Sequence, residues 1–425
     1  MMAFEYTNQP WKTLYLAYEL FAILFILLPV WSVTYVFTRP RPTWSWTHAM
    51  IAAFLRRLDV ITEVVEGAVL LRIPDYRAIS PTAGYNAEAV WIEGMPRSLI
   101  TTELAIFASV AHVAPIRIPG YWYARDGTAP KPTAPVSKTD QKKVFLYLHG
   151  GGFTMLSAHP SDLVVGSLSR SLVELTVDVP HLLAVEYRLS STHPLAERHP
   201  FPTALLDALA GYIHLIDVVR YDPSNIILAG DSAGGNLALA LVRYLVENQG
   251  SLGTDTSPEL PAPPGHLLLM YPWADMSNTH AETEMAIIPR GANRGLQGSA
   301  HTNDMDILGD FWVGKRYPSY NSLAYTGPFG LGIALNNRYF SPACLSPAVQ
   351  AQFRGFPRTF IVVGDVDRLL DQVRTLRDMM ARDMPGSGQV TYHEEKDGIH
   401  GFLTCPSHPG GRAALKAIGR WLVQD

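Results

Sequence analysis

The residue of this sequence best placed to do chemistry is a serine, set in Gly230-Asp231-Ser232-Ala233-Gly234. Ahead of it Ile226 to Ala229 reads as a buried strand, and behind it Gly235 to Glu247 reads as a helix. A sharp strand-to-helix turn exposes a serine oxygen above a sheet, and small flanking residues permit the strained backbone such a turn needs. The helix that begins behind Ser232 turns free amides and its positive dipole end toward an oxyanion formed on an attacked carbonyl. The plain structural alternative is a glycine-rich turn that packs a helix on a strand. Motif and flanks together favour nucleophilic acyl chemistry.

A second element, His149-Gly150-Gly151-Gly152-Phe153, ends the apolar run that starts at Val144. Successive glycines let backbone amides approach a substrate oxygen without side-chain interference. No Lys-Ser/Thr follows, as a phosphate loop would require, so the run fits an oxyanion cradle better. The general base is expected late, in the chain order Ser, Asp, His. His400, in Gly398-Ile399-His400-Gly401-Phe402, follows the last expected strand, Gln389 to His393, and precedes the final helix. The orienting carboxylate is expected after the preceding strand. There FIVVGDVDRLLD offers Asp365, Asp367 and Asp371, at least two of which must serve as caps or solvated charges.

These residues need a scaffold, and the pattern supplies one. Apolar runs at Val144 to Gly152, Leu182 to Val185, Ile226 to Ala229, His266 to Tyr271 and Thr359 to Val363 alternate with helical stretches at Pro202 to Val219, Gly235 to Glu247 and Leu369 to Met379. Such alternation predicts an α/β fold, a mostly parallel sheet with helices on both faces. Residues 277–340 interrupt it with scattered Gly, Asn and Pro and the aromatics Phe311, Trp312 and Tyr317. An insertion there, over the strands' C-terminal ends, is where a lid would sit. Upstream, Ala49 to Gly67 and Thr101 to Val113 read as helices separated by irregular sequence, and Ala124 to Lys142 as an exposed Pro-rich connection. The expected domains are therefore an anchor at 1–40, a helical cap region with linker at 41–143, and a catalytic domain at 144–425 with a lid insertion at 277–340.

The anchor rests on Leu14 to Phe37, whose only charge is Glu19. As a helix it would span roughly 36 Å, against about 30 Å of bilayer hydrocarbon. Trp11, Trp31, Trp44 and Trp46 near its ends resemble interfacial anchors. A buried or membrane-lying cap helix is the alternative, with Glu19 and Pro29 counting against a simple span. Arg39 and Arg41 follow the segment, so the positive-inside tendency would leave the C-terminal bulk in the cytoplasm, although the side stays open.

The chain has 425 residues, 48% hydrophobic and 17% charged, enough for a large core. A net charge of -4 with no long basic run argues against a nucleic-acid partner. Two cysteines exclude a disulfide framework and a cysteine-rich zinc site.

These motifs, with YRLS at 187–190, YPWAD at 271–275 and SPA at 341–343, resemble the hormone-sensitive-lipase group of α/β-hydrolases over about residues 144–424. With the N-terminal anchor, the chain further resembles the arylacetamide and steryl-acetate deacetylases. The resemblance implies an α/β-hydrolase fold and a serine esterase with catalytic Ser232, Asp367 and His400. It also implies oxyanion amides from Gly151, Gly152 and Ala233, and a single-pass protein of the endoplasmic reticulum membrane. Asp367 is preferred because it opens the family pattern of Asp, any residue, Leu, any residue, Asp; Asp365 is the runner-up. No metal or organic cofactor is expected. The expected substrate is a small lipophilic ester with a short acyl group, such as an acetylated sterol or terpenoid. Acyl transfer by the same residues, and a non-catalytic small-molecule binding role, are the competing readings. The stretch STHPLAERHPFP is longer than the family's turn, and the insertion has no counterpart to carry over, so substrate choice and oligomeric state stay open.

Overall fold

Among the described residues the serine-bearing sheet of the computed structural model has eight strands. Described are residues 6, 8–65, 75–130, 142–176, 178–249, 259–280, 306–308, 319–405 and 407–423. The strands are β1 Ala87–Ile92, β2 Ile118–Ala124, β3 Val144–Leu148, β4 His181–Val185, β5 Ile226–Asp231, β6 His266–Met270, β7 Arg358–Gly364 and β8 Val390–Glu395. They lie in the order β1-β2-β4-β3-β5-β6-β7-β8. Strand β2 pairs antiparallel with both neighbours, and every other pairing is parallel.

Central strands β3, β5 and β6 are buried at every residue. Strands covered on both faces lose polar alternation, which is why these runs were legible as apolar blocks. Their cover comes from helices α5 Leu163–Leu175, α6 Thr203–Ile213, α7 Ala233–Glu247, α9 Leu370–Asp383 and α10 Gly411–Val423. Among the described residues the remaining α-helices are α1 Trp11–Ala22, α2 Leu28–Phe37, α3 Trp46–Val64, α4 Thr102–Val110 and α8 Tyr320–Thr326.

The sheet reaches further upstream than the sequence suggested. Residues 41–143 were expected to hold helices and a linker, yet β1 and β2 lie there. Pro119 and Gly120 disguise β2, since both residues usually break strands. Gly120 answers a packing need: a Cβ there would stand 2.6 Å from Ile92 Cδ1 on β1. Strand β1 is an edge strand and mostly half-buried, so its apolar signal is weak. Of the insertion, residues 277–280, 306–308 and 319–340 are described; Phe311, Trp312 and Tyr317 lie outside the described residues.

Residues Trp11–Phe37 form one 27-residue apolar helix, long enough to cross a bilayer. A π turn over Ile23–Leu27 widens the ladder immediately before Pro29, which has no N–H to donate. Leu20, Phe21, Leu24, Phe25, Val30 and Val33 are exposed along it. Its one acidic residue, Glu19, is turned away from solvent and gripped in bidentate fashion by Arg57 of α3, at 2.8 and 2.5 Å.

Candidate active site

Ser232 sits between β5 and α7 with φ 52° and ψ −118°. A non-glycine residue held there costs about 1–3 kcal/mol, so surrounding contacts must fix it. Its N–H donates to Met270 O at 2.9 Å, and its carbonyl accepts from Trp273 N at 2.9 Å and Gly235 N at 3.0 Å. The flanking glycines are demanded by close approach. A Cβ on Gly230 would stand 2.2 Å from Gly234 O, and one on Gly234 would stand 2.0 Å from Leu148 O. Ala233 opens α7, so its N–H has no intrahelical acceptor.

The glycine loop after β3 is tied to this turn by Asp231. Its Oδ1 accepts from Gly150 N at 2.8 Å and from the Tyr147 hydroxyl at 2.6 Å. Burial pushes the Asp231 carboxyl up to about 6, against the pull of those two donors and of His400. On the other side the Tyr187 hydroxyl donates to His149 O at 2.6 Å, and the two rings stack at 4.2 Å. Burial pushes the His149 imidazole down to about 4, so it stays neutral at pH 7. Gly151 and Gly152 take φ of +96° and +60°, conformations that favour glycine. From α8, Asn321 Oδ1 accepts from Thr154 Oγ1 at 2.7 Å and the Tyr325 ring stacks on Phe153 at 3.7 Å, so the insertion buttresses this loop.

The two candidate acids have different partners. Asp367, fully buried in the loop after β7, meets His400 Nδ1 through Oδ2 at 2.9 Å. Its Oδ1 accepts from Leu369 N at 2.8 Å. Asp365 instead accepts from Asp397 N at 2.7 Å and pairs with Arg41 at 2.7 Å. Arg41 also reaches Asp397 at 2.9 Å, so the residue just past the apolar helix clasps the loops after β7 and β8. Asp371 lies in the first turn of α9 with Arg374 3.7 Å away. Burial alone would push the His400 imidazole down. Asp367, Asp306 and Asp231 outweigh it and hold the ring above its ordinary value.

Ser232, His400 and Gly151 line one cavity of about 500 Å³. Helix α3 lines the same cavity, contributing Ile51, Phe54, Leu55 and Leu58. That spacing is an amphipathic helical stripe, the signal by which sequence could have tied α3 to the site. Asp306 had no such signal, being one of five acids scattered through the insertion. A serine hydroxyl, an imidazole paired to a carboxylate and backbone donors around one apolar chamber are the equipment of acyl transfer.

A family model described as alpha/beta hydrolase fold matches residues 145–316. The chain is an α/β-hydrolase by fold and an enzyme of the esterase type. Arylacetamide deacetylase of Oryctolagus cuniculus is 25% identical to the hydrolase over 68% of this chain and 75% of the relative. An acetyl-hydrolase of Streptomyces hygroscopicus is 26% identical over 66% and 75%. The hydrolase also shares its fold with an esterase of Pyrobaculum calidifontis, at a TM-score of 0.50 and 20% identity over 79% of this chain and 84% of that one.

Proposed function

We propose that the hydrolase is a membrane-anchored serine esterase that cleaves lipophilic, short-acyl esters through an acyl-enzyme on Ser232. His400 takes the Ser232 proton as the hydroxyl attacks the ester carbonyl. The developing oxyanion is met by the amides of Gly151, Gly152 and Ala233. Asp367 holds the imidazole by its Nδ1 and balances the charge it gains. His400 then returns the proton to the leaving alkoxide, and water, deprotonated by the same imidazole, releases the acid and regenerates Ser232.

The observation that carries this reading is the shared cavity, lined by Ser232 and His400 together with an apolar face of α3. An ester whose alcohol part is bulky and apolar fits such a chamber. The short acyl group is favoured by the two acetyl-releasing relatives named above. Anchoring is favoured by Trp11–Phe37, because α3 joins that helix through Arg57–Glu19 and lines the cavity with its other residues. A bilayer-dissolved ester would then meet the chamber without crossing water.

A panel of esters varied separately in acyl length and alcohol bulk tests the substrate class. The expected result is a kcat/KM that falls as the acyl chain lengthens and rises with apolar alcohol bulk. A preference for long acyl chains or charged alcohols would overturn it.

A further inference from the structure

Asp306 takes no part in the reaction just proposed, yet it sits between the loops that carry Asp367 and His400. It is nearly inaccessible to solvent. Its Oδ1 accepts from the backbone N–H of His400 at 2.7 Å and of Ile307 at 2.8 Å. Its Oδ2 accepts from the backbone N–H of Arg368, the residue after Asp367, at 2.9 Å. The grip is returned, since Arg368 Nη1 donates to Leu308 O at 2.6 Å. Three amide donors stabilise a buried carboxylate that has no cationic side chain hydrogen-bonded to it among the described contacts, which is a costly group to keep without a purpose.

We propose that Asp306 is a positioning residue: it fixes the loops of Asp367 and His400 in register and adds a second negative charge beside the imidazolium. The proposal rests on His400 being the base. An asparagine could not replace it, because an amide presents one acceptor and would turn its NH2 toward a backbone N–H. The groups around His400 are Asp367 from the loop after β7, Asp306 from the insertion, Asp231 from the serine turn and the neutral Tyr271 ring at 4.9 Å. Asp59 of α3 and Cys405 line the same cavity. Among these only the three aspartates near the ring favour its protonated form. Removing one of them therefore makes the imidazolium easier to deprotonate.

The test is full-length Asp306→Asn assayed with p-nitrophenyl acetate across pH, beside wild type and His400→Ala. Small displacements at a reacting centre cost about a hundredfold in rate, which is the expected fall in kcat. KM should stay near wild type, and the acid limb of kcat/KM should move to lower pH. A folded variant with unchanged kcat and an unchanged limb overturns the proposal, as does a raised KM with unchanged kcat. Should Asp306→Asn not fold, Asp306→Glu decides: it keeps the charge but displaces the loops, so kcat should fall while the limb stays, and wild-type kcat overturns the proposal. Turnover surviving His400→Ala would instead mark failure of the base assignment itself.

Discussion

At the scale of single residues, partners decide roles. Asp365 and Asp367 are two positions apart, and sequence could rank them only through a family pattern. Side-chain direction separates them, one toward Arg41 and Asp397, the other toward His400. Asp367→Asn should therefore lower kcat by roughly four orders of magnitude, the scale seen when such an acid is amidated and the imidazole tautomer goes wrong. Asp365→Asn should keep kcat within about tenfold, because loss of a partly exposed ion pair disturbs a loop and not the imidazole. Turnover of a p-nitrophenyl ester by both variants checks this, and the reverse order would contradict it. The pH dependence has a definite sign. Under the proposed mechanism activity needs neutral His400, and the net effect of its three carboxylates is to raise its value above the ordinary 6.5. kcat/KM of the wild type should thus fall with acidification at a midpoint above 6.5, and that midpoint should drop in Asp367→Asn.

At the scale of elements, the turn at Ser232 is a contact between three pieces of backbone. Strand β3 ends against Gly234, the turn folds onto Gly230, and β6 holds the serine amide. Gly234→Ala would drive a methyl group into the Leu148 carbonyl, and the strands cannot part without opening the sheet. The expected cost is about 3 kcal/mol or more, read as a shift in thermal or urea midpoint; an unchanged midpoint would contradict the packing account. This turn was legible because its chemistry is written in consecutive residues. Strands β3, β5, β6 and β7 were legible because burial on both faces leaves unbroken apolar runs. Strand β2 was not, since Pro119 and Gly120 in a tightly packed position look like punctuation. Asp306 was hidden for a different reason: its importance comes from which loops it touches, and one acid among several in an irregular insertion leaves no periodic trace.

At the scale of the whole molecule, the N-terminal helix and the cavity are parts of one assembly. Arg57 neutralises Glu19 from α3, and Arg41 ties the end of the same segment to the loops beside His400. Arg57→Met in detergent should lower stability by about 2 kcal/mol, discounted from a fully buried pair because Arg57 is partly exposed. Adding Glu19→Gln should recover much of the loss, since the stranded charge is then gone; no recovery would contradict the pairing. Membranes washed with carbonate at high pH should retain the full-length protein, and release of the intact chain would count against a spanning helix. The central claim, that Ser232 is the nucleophile of an intact hydrolytic site, is tested most directly by a fluorophosphonate probe. The folded wild type should be labelled once, on Ser232, with loss of ester turnover, and Ser232→Ala should take up none. A folded wild type that resists the probe, or labelling that survives Ser232→Ala, would contradict the account.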